Sequence, residues 1–402
     1  MSVVIVGTLD TKGEEIGFAR DVIEAQGIDV HVVDAGVLGD PEFEPDTSAE
    51  AVAEAGGGSL DALRDRGEAM DVMGRGAAAV VGRLHNEGEL DGVLGLGGSG
   101  NTSIATTAMR ELPVGVPKVM VSTMASGDVE PYVGATDVTM MYSVADIEGL
   151  NQLSRRIIAN AALATAGMVA NEVDVAVEDR PTIGFTMFGV TTPCVQRARE
   201  YLEDEGYETI VFHATGTGGR AMEDLVRQGV VDGVLDVTTT EWADEHAGGV
   251  LNAGPDRLDA PGEMGVPHVV SVGALDMVNF GPPDSVPEKF ADRKRHEHNP
   301  QVTLLRTTPE ESAAVGEIIA GKLNDASGPV AVYLPLRGLS QIGVEGEVFH
   351  DSEADEALFD ALRDGLADRV ELVEMDAAIN DETFALALAR KMDEYMRDAG
   401  MA

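Results

Sequence analysis

The chain has 402 residues, enough for two domains with a core each, and its 44% hydrophobic content is that of a globular protein, not a disordered one. It carries 71 acidic against 28 basic residues, a net charge of −43, which excludes the basic surface needed for nonspecific contact with nucleic acid. No run of about 18 uncharged apolar residues occurs, so no membrane span is expected.

Only 6 of the basic residues are Lys, and the acids are spread along the whole chain. That pattern resembles a halophile's protein, because concentrated salt shortens the range of self-repulsion. It bears on solvent and not on function. The single cysteine, Cys194, rules out an internal disulfide framework. The opening MSVVIVGTLD lacks a basic flank and is too short for a signal peptide, so a cytoplasmic protein is expected.

In chain order, Val3 to Gly39 reads strand, polar loop, amphipathic helix, Gly27, strand ending at Asp34, then a Gly-rich loop. Pro41 to Leu60 reads as an insertion that includes Gly56-Gly-Gly-Ser59. Asp91 to Thr102, DGVLGLGGSGNT, is an apolar run that ends in glycines and opens the helical pattern SIATTAMREL. A strand follows at Lys118 to Ser122, and the amphipathic stretch Asp146 to Met168 closes the first half. The polar segment Glu172 to Pro181 reads as a linker.

Thr182 to Gly219 then repeats the first pattern. Seven positions separate Gly27 from Asp34, and seven separate Gly206 from His213. Asp91-Gly-Val-Leu recurs as Asp232-Gly-Val-Leu, and Gly115-Val-Pro as Gly265-Val-Pro, in the same order. The second half continues through strands at Val302 to Arg306 and Val330 to Leu334 and ends in a helix, Asp381 to Arg397. Strands alternating with helices imply right-handed crossovers and parallel sheets. The expected fold is α/β: two Rossmann-like three-layer domains with mostly parallel sheets, residues 1–175 and 182–402, related by internal duplication.

In such sheets ligands collect beyond the carboxyl ends of the strands. In the first half those ends supply Thr8, Asp10, Thr11 and Lys12; then Asp34; then Gly97, Gly98, Ser99, Gly100, Asn101 and Thr102; then Ser122, Thr123 and Ser126. Glycines let a ligand approach the backbone, and the first turn of a helix presents unpaired N–H groups to an anion. Gly95, Gly97 and Gly100 fit GxGxxG, but after a late strand, and the next strand closes in Ser-Thr and not in an acid, which disfavours NAD. Phosphate contact stands against the plainer reading of a turn that only packs a helix on a sheet. Asp34 fits either a ribose hydroxyl or a turn. Lys12 is harder to dismiss, because lysine is so rare in this chain.

In the second half Cys194 falls in the first turn of a helix, where the dipole lowers a thiol pKa. With His213 and Glu241 at neighbouring strand ends it makes a candidate catalytic group, against the plainer reading of a buried, inert thiol. His296-Glu297-His298-Asn299 fits no zinc pattern, and Arg293, Lys294 and Arg295 beside it disfavour a cation; with Arg306 it reads equally as an anion-handling loop.

GTLDTKGEE, GGSGNT, PKVMVSTMASGD, YVGATDVTMMYSVADIEGLN, GVTTPCV, HATGTGG and MVNFGPP resemble the bacterial, archaeal and plant family of the tomato mosaic virus resistance protein, over essentially the whole chain. The resemblance implies a two-domain α/β protein that dimerises and binds ATP in its first domain; Mg²⁺ is expected to accompany the phosphates. It implies nucleotide contacts from the Thr8–Lys12, Gly97–Thr102 and Ser122–Ser126 loops, and no reaction. The plant protein continues into a further barrel domain. The expected function is therefore ATP binding on the first domain; the alternatives are a metabolic enzyme acting on a small phosphorylated or carboxylated substrate in the second domain, and a nucleotide-regulated interaction module.

Overall fold

Runs such as Ser2–Gly7 and Gly92–Gly97 are apolar on consecutive residues, as strands covered on both faces require, and both lie in the middle of a parallel sheet. The structure, a computed structural model, describes residues 1–62, 65–171 and 180–401. The linker read at Glu172 to Pro181 falls, up to residue 179, outside the described residues. The chain divides into two units, Met1–Ala176 and Val177–Ala402.

The first unit runs β1 (Ser2–Gly7), α1 (Leu9–Glu24), β2 (Asp29–Asp34), α2 (Ala49–Ala55), α3 (Arg66–Asn86), β3 (Gly92–Gly97), α4 (Ser99–Arg110), β4 (Lys118–Ser122), α5 (Glu130–Val133), β5 (Thr139–Tyr142) and α6 (Gln152–Ala170). Its sheet is parallel in the order β2-β1-β3-β4-β5. Ile16, Ile23, Ile158 and Ala162 of α1 and α6 pack on the face that Val3 and Ile5 present. Val52, Met73, Val81 and Ile104 of α2, α3 and α4 cover the face of Val4 and Val6. The read insertion contains α2, and its Asp46 and Thr47 amides bond Val32 O on the edge of β2. Helix α6 begins at Gln152, later than the expected Asp146, because Asn151 caps it by accepting from Leu153 N (2.9 Å) and Ser154 N (3.0 Å).

The second unit runs β6 (Thr182–Met187), α7 (Thr192–Asp204), β7 (Glu208–His213), α8 (Thr217–Arg227), β8 (Gly233–Thr238), α9 (Glu241–Ala247), α10 (Ala260–Met264), β9 (His268–Gly273), β10 (Met277–Phe280), β11 (Arg295–Asn299), β12 (Val302–Arg306), α11 (Pro309–Asp325), β13 (Val330–Pro335), α12 (Ser352–Gly365), β14 (Glu371–Met375) and α13 (Glu382–Asp398). The parallel sheet is ordered β14-β13-β9-β8-β6-β7, the arrangement of the first unit with one strand added. The expected strand at Val302 to Arg306 is present but lies outside this sheet, in an antiparallel one ordered β10-β12-β11.

The repeated phrases make repeated bonds. Asp91 accepts from Ser2 N (2.7 Å), and Asp232 accepts from Thr182 N (2.8 Å), so each clamps the first strand of its unit to the third. After each Gly-Val-Pro the proline carbonyl accepts at 2.8 Å from the same place on the neighbouring strand, Val93 N on Pro117 O and Val234 N on Pro267 O. The first helix of each unit is followed by a glycine in the left-handed region, Gly27 (φ 80°) and Gly206 (φ 101°), where other residues are strained.

The second unit buries a charge cluster. Arg257, 1% exposed, donates to Glu241 through Nε (2.7 Å), to Asp236 through both terminal nitrogens (2.6 and 2.7 Å) and to Glu223 (3.2 Å). Burial pushes the Asp236 carboxyl up, but the charge of Arg257 and its hydrogen bonds outweigh it and hold its pKa well below 3.8. Its stabilising contribution is therefore complete above the ordinary carboxylate pKa and is lost as pH falls through the depressed one. Arg257→Met is expected to cost about 3–5 kcal/mol, because it strands buried carboxylates. Urea unfolding followed through Trp242, the chain's single tryptophan and buried in this unit, measures it. The deficit should widen from about pH 4 to pH 7, since the unpaired Asp236 then favours its protonated form.

Candidate functional site

The strand order of the first sheet reverses between β1 and β3, the switch point at which open α/β sheets bind ligands. The β1–β3 ladder ends at Val6 and Gly95, and beyond it Asn101 spans the gap. Its Nδ2 donates to Val6 O (3.2 Å) and Leu96 O (2.8 Å), while its Oδ1, buried with a side chain 6% exposed, has no hydrogen-bond partner among the described residues. A Cβ on Gly97 would stand 2.8 Å from Asn101 Cβ, and one on Gly95 2.7 Å from Ala105 Cβ. These two glycines are required by packing. Gly98 and Gly100 are not: a Cβ there would meet nothing nearer than 3.9 and 3.5 Å.

Gly98 has no side chain with which to cap α4. Among the described residues no acceptor takes the N–H groups of Ser99, Gly100 or Asn101. They open on a cavity of about 420 Å³ lined by Gly98, Ser99, Gly100 and Asn101 on one side and by Thr8, Asp10, Thr11 and Lys12 on another. Lys12 leaves helical geometry (φ −133°, ψ 21°), a break in the first turns of α1. The other five lysines each have a partner: Asp137 for Lys118, Ala247 O for Lys289, His350 O for Lys294, Asp259 for Lys322, and Glu371 with Glu394 for Lys391. The Lys12 ammonium has none among the described residues.

The remaining expected residues divide by placement. The Thr8 and Thr11 hydroxyls bond each other at 2.9 Å. Asp10 Oδ2 accepts from Leu38 N (2.6 Å) and Gly39 N (3.2 Å), which pins the β2–α2 connection to α1. Asp34 is buried, with its pKa raised chiefly by that burial, and accepts from Leu9 N (3.0 Å) and Gly36 N (2.8 Å). It holds two turns and is not among the residues lining the cavity, the turn alternative of the two. Thr102 Oγ1 and Ser122 Oγ bond each other at 2.7 Å, and Ser122 also takes Met124 N (2.9 Å). Ser122, Thr123 and Ser126 do not line the cavity, so the expected three-loop cradle reduces to two loops.

Ala35, Val37, Leu38, Asp65, Ala69, Met70 and Ile104 line it without having been singled out from sequence. Asp65 had a readable signal. It precedes Arg66-Gly67-Glu68 at the start of an apolar-periodic run, and it caps α3 through Gly67 N (2.8 Å) and Glu68 N (3.1 Å).

The second unit does not assemble its expected catalytic group. Cys194 is fully buried and packs with Leu235 and Val237 on the α7–α13 face of the sheet. Strand alternation turns Asp236, and with it Arg257 and Glu241, to the opposite face. Burial pushes the Cys194 thiol up, opposite to the expected depression by the helix dipole. His213 is exposed and lies against Phe188, ring centroids 5.6 Å apart. Glu241 accepts from Gly216 N (2.8 Å), Gly219 N (3.1 Å) and Arg257. Burial raises its pKa, and Arg257 and the Gly216 N–H oppose that rise. A Cβ on Gly219 would stand 2.3 Å from Glu241 Oε2. The glycine-rich loop of the second half thus receives a carboxylate of the chain itself. His296 and His298 lie on β11, with ring centroids 6.5 Å apart, and among the described residues no group of three or more His, Cys, Asp or Glu is arranged to hold a metal ion.

Two parallel α/β units of matching strand order define the class: a two-unit Rossmann-like protein. The chain belongs to the Uncharacterised protein family (UPF0261), whose N-terminal domain matches residues 1–174 and whose C-terminal domain matches residues 180–396. It is 54% identical over 398 residues to a UPF0261 protein of Clostridium tetani, covering 98% of each chain. It is 49% identical over 390 residues to one of Rhizobium meliloti, covering 96% of each. The ToMV susceptible protein tm-1(GCR26) of Solanum lycopersicum is 42% identical over 423 residues, covering 99% of this chain and 56% of the tomato protein, so the chain spans about half of that relative. A solved UDP-GlcNAc 2-epimerase of Methanocaldococcus jannaschii aligns with 98% of this chain and 92% of its own at 9% identity and a TM-score of 0.23, too low to carry an argument. No helix among the described residues is long and apolar enough to cross a membrane.

The buried Cys194 is expected to resist a thiol-specific reagent in the native protein and to react fully once the chain is unfolded in guanidinium. Fast native labelling that abolishes ligand binding would return Cys194 to the list of functional residues.

Proposed function

We propose that the first unit binds ATP, with its phosphates on the open N-terminus of α4. One observation carries this: Lys12, the lysine without a protein partner among the described residues, lines the same cavity as the unclaimed amides of Ser99, Gly100 and Asn101. Three amides, the positive end of a helix dipole and a lysine are the elements that hold phosphate oxygens. The field of a chain at −43 opposes any anion, so such a site needs local cations and directed donors, and the cavity supplies both.

The residues present also fit a Mg²⁺ ion travelling with the phosphates. Asp10 uses Oδ2, and Asp65 uses Oδ1, to accept backbone N–H groups, and the other oxygen of each has no hydrogen-bond partner among the described residues. Magnesium characteristically takes one or two carboxylates and completes its shell with phosphate oxygens and water. Bound there, it would neutralise phosphate charge, while Lys12 and the α4 amides orient the chain of phosphates. A dimer remains part of the proposal, resting on the family resemblance alone.

Thermal-shift titration with Mg²⁺-ATP in concentrated KCl is expected to raise the melting temperature, and no shift at saturating nucleotide would end the proposal. Lys12→Met should weaken ATP binding about tenfold or more, the size of a lost charge-assisted hydrogen bond.

Gly100→Ala gives the sharper check. The protein has room for the methyl group, and Ala costs less backbone entropy on folding than Gly. Stability measured by urea unfolding should hold or rise, while calorimetric ATP affinity falls, because the new Cβ stands beside the amides.

A further inference from the structure

The cavity has a second, chemically different side. Ala35, Val37 and Leu38 of the β2–α2 connection face it, as do Ala69 and Met70 of α3 and Ile104 of α4. Leu38 is 83% exposed, the most exposed of the large apolar side chains among the described residues. Asp10 Oδ2 accepts from the backbone N–H of Leu38 (2.6 Å) and from that of Gly39 (3.2 Å), which anchors the backbone of this stretch beside the cavity. Met70 adjoins the amides: its Cε and Sδ lie 3.5 and 3.6 Å from the place a Gly100 Cβ would take.

We infer that Leu38 and Met70 form the seat of the nucleobase, so that the site recognises a nucleoside triphosphate through an apolar contact as well as through its phosphates. The inference rests on the proposed phosphate site. Its chemistry is that of a flat, π-faced ring between two apolar side chains. Thioethers make favourable contacts with aromatic rings, and a leucine leaves water when a ring covers it. The polar side chains that line the cavity are engaged within the protein: Thr8 and Thr11 are bonded to each other, and Asp10 and Asp65 are bonded to backbone. Leu38 therefore acts as a specificity-determining residue for the presence of a base, and Asp10 as the positioning residue that holds it there.

The test compares Mg²⁺-ATP with Mg²⁺-tripolyphosphate by calorimetry, on the wild-type chain and on Leu38→Ser and Leu38→Phe. Leu38 is exposed, so neither change endangers the fold. Leu38→Ser should weaken ATP about tenfold, the loss expected when part of one leucine no longer leaves water, and leave tripolyphosphate within about twofold. Leu38→Phe should bind ATP at least as tightly as the wild type. Equal losses for the two ligands, or unchanged ATP affinity in Leu38→Ser, would overturn the base seat while the phosphate site stands. Binding of neither ligand by the wild-type chain would overturn the phosphate site itself.

Discussion

The open N–H groups at a helix N-terminus are the constraint on which this structure turns. Each strand-to-helix crossing at the carboxyl edge of a parallel sheet leaves several backbone donors without intrahelical partners. At α1 the chain answers with Asp34, bonded to Leu9 N. At α8 it answers with Glu241, bonded to Gly216 N and Gly219 N. At α7 it brings Asn380 Oδ1 to Cys194 N. At α4, among the described residues, no acceptor of the chain takes the first amides. The protein has 71 acidic side chains, and among the described residues none of them bonds that terminus.

Surplus negative charge gives the arrangement its meaning. Lysines elsewhere in the chain are taken up by carboxylates, carbonyls or aromatic rings, and Arg257 is surrounded by Glu223, Asp236 and Glu241. A lysine that keeps its charge for an outside partner must be held away from those acids. At Lys12 the helix α1 departs from helical geometry, and Asp10 is engaged by two backbone amides. Asp10, two positions before Lys12, is bonded to the Leu38 and Gly39 amides, and the Lys12 ammonium has no partner among the described residues.

Much of the fold was legible because its signals are local or repeated. Apolar runs marked the central strands, and Asp91 and Asp232 marked equivalent clamps because the same bond needs the same residue in each half. What was missed lacks a local signature. Strand β14 is an edge strand with exposed Glu371 and Glu374, and its composition reads as loop or helix. The β10-β12-β11 sheet interrupts a parallel pattern, and nothing in the residues of β12 distinguishes an antiparallel partner from a parallel one. The site divided likewise. Lys12 stood out by rarity and the glycine loop by composition, but the apolar side of the cavity is drawn from Ala35–Leu38 and from α3, distant in sequence and ordinary in content.

The two glycine-rich loops show why composition alone does not locate a ligand. GGSGNT and HATGTGG look alike on the page, and each opens a helix beyond a parallel strand. In the second, Gly219 is glycine because Glu241 needs the volume of its Cβ, so the loop is complete without any other molecule. In the first, Gly95 and Gly97 are likewise fixed by packing against Ala105 and Asn101, yet Gly98 and Gly100 have room to spare. A glycine that the protein's own packing does not require, beside an amide that the protein's own acceptors do not use, is what separates a ligand site from a well-made turn. By that criterion the two loops differ: the second is closed by Glu241, and at the first the leading amides of α4 have no acceptor among the described residues.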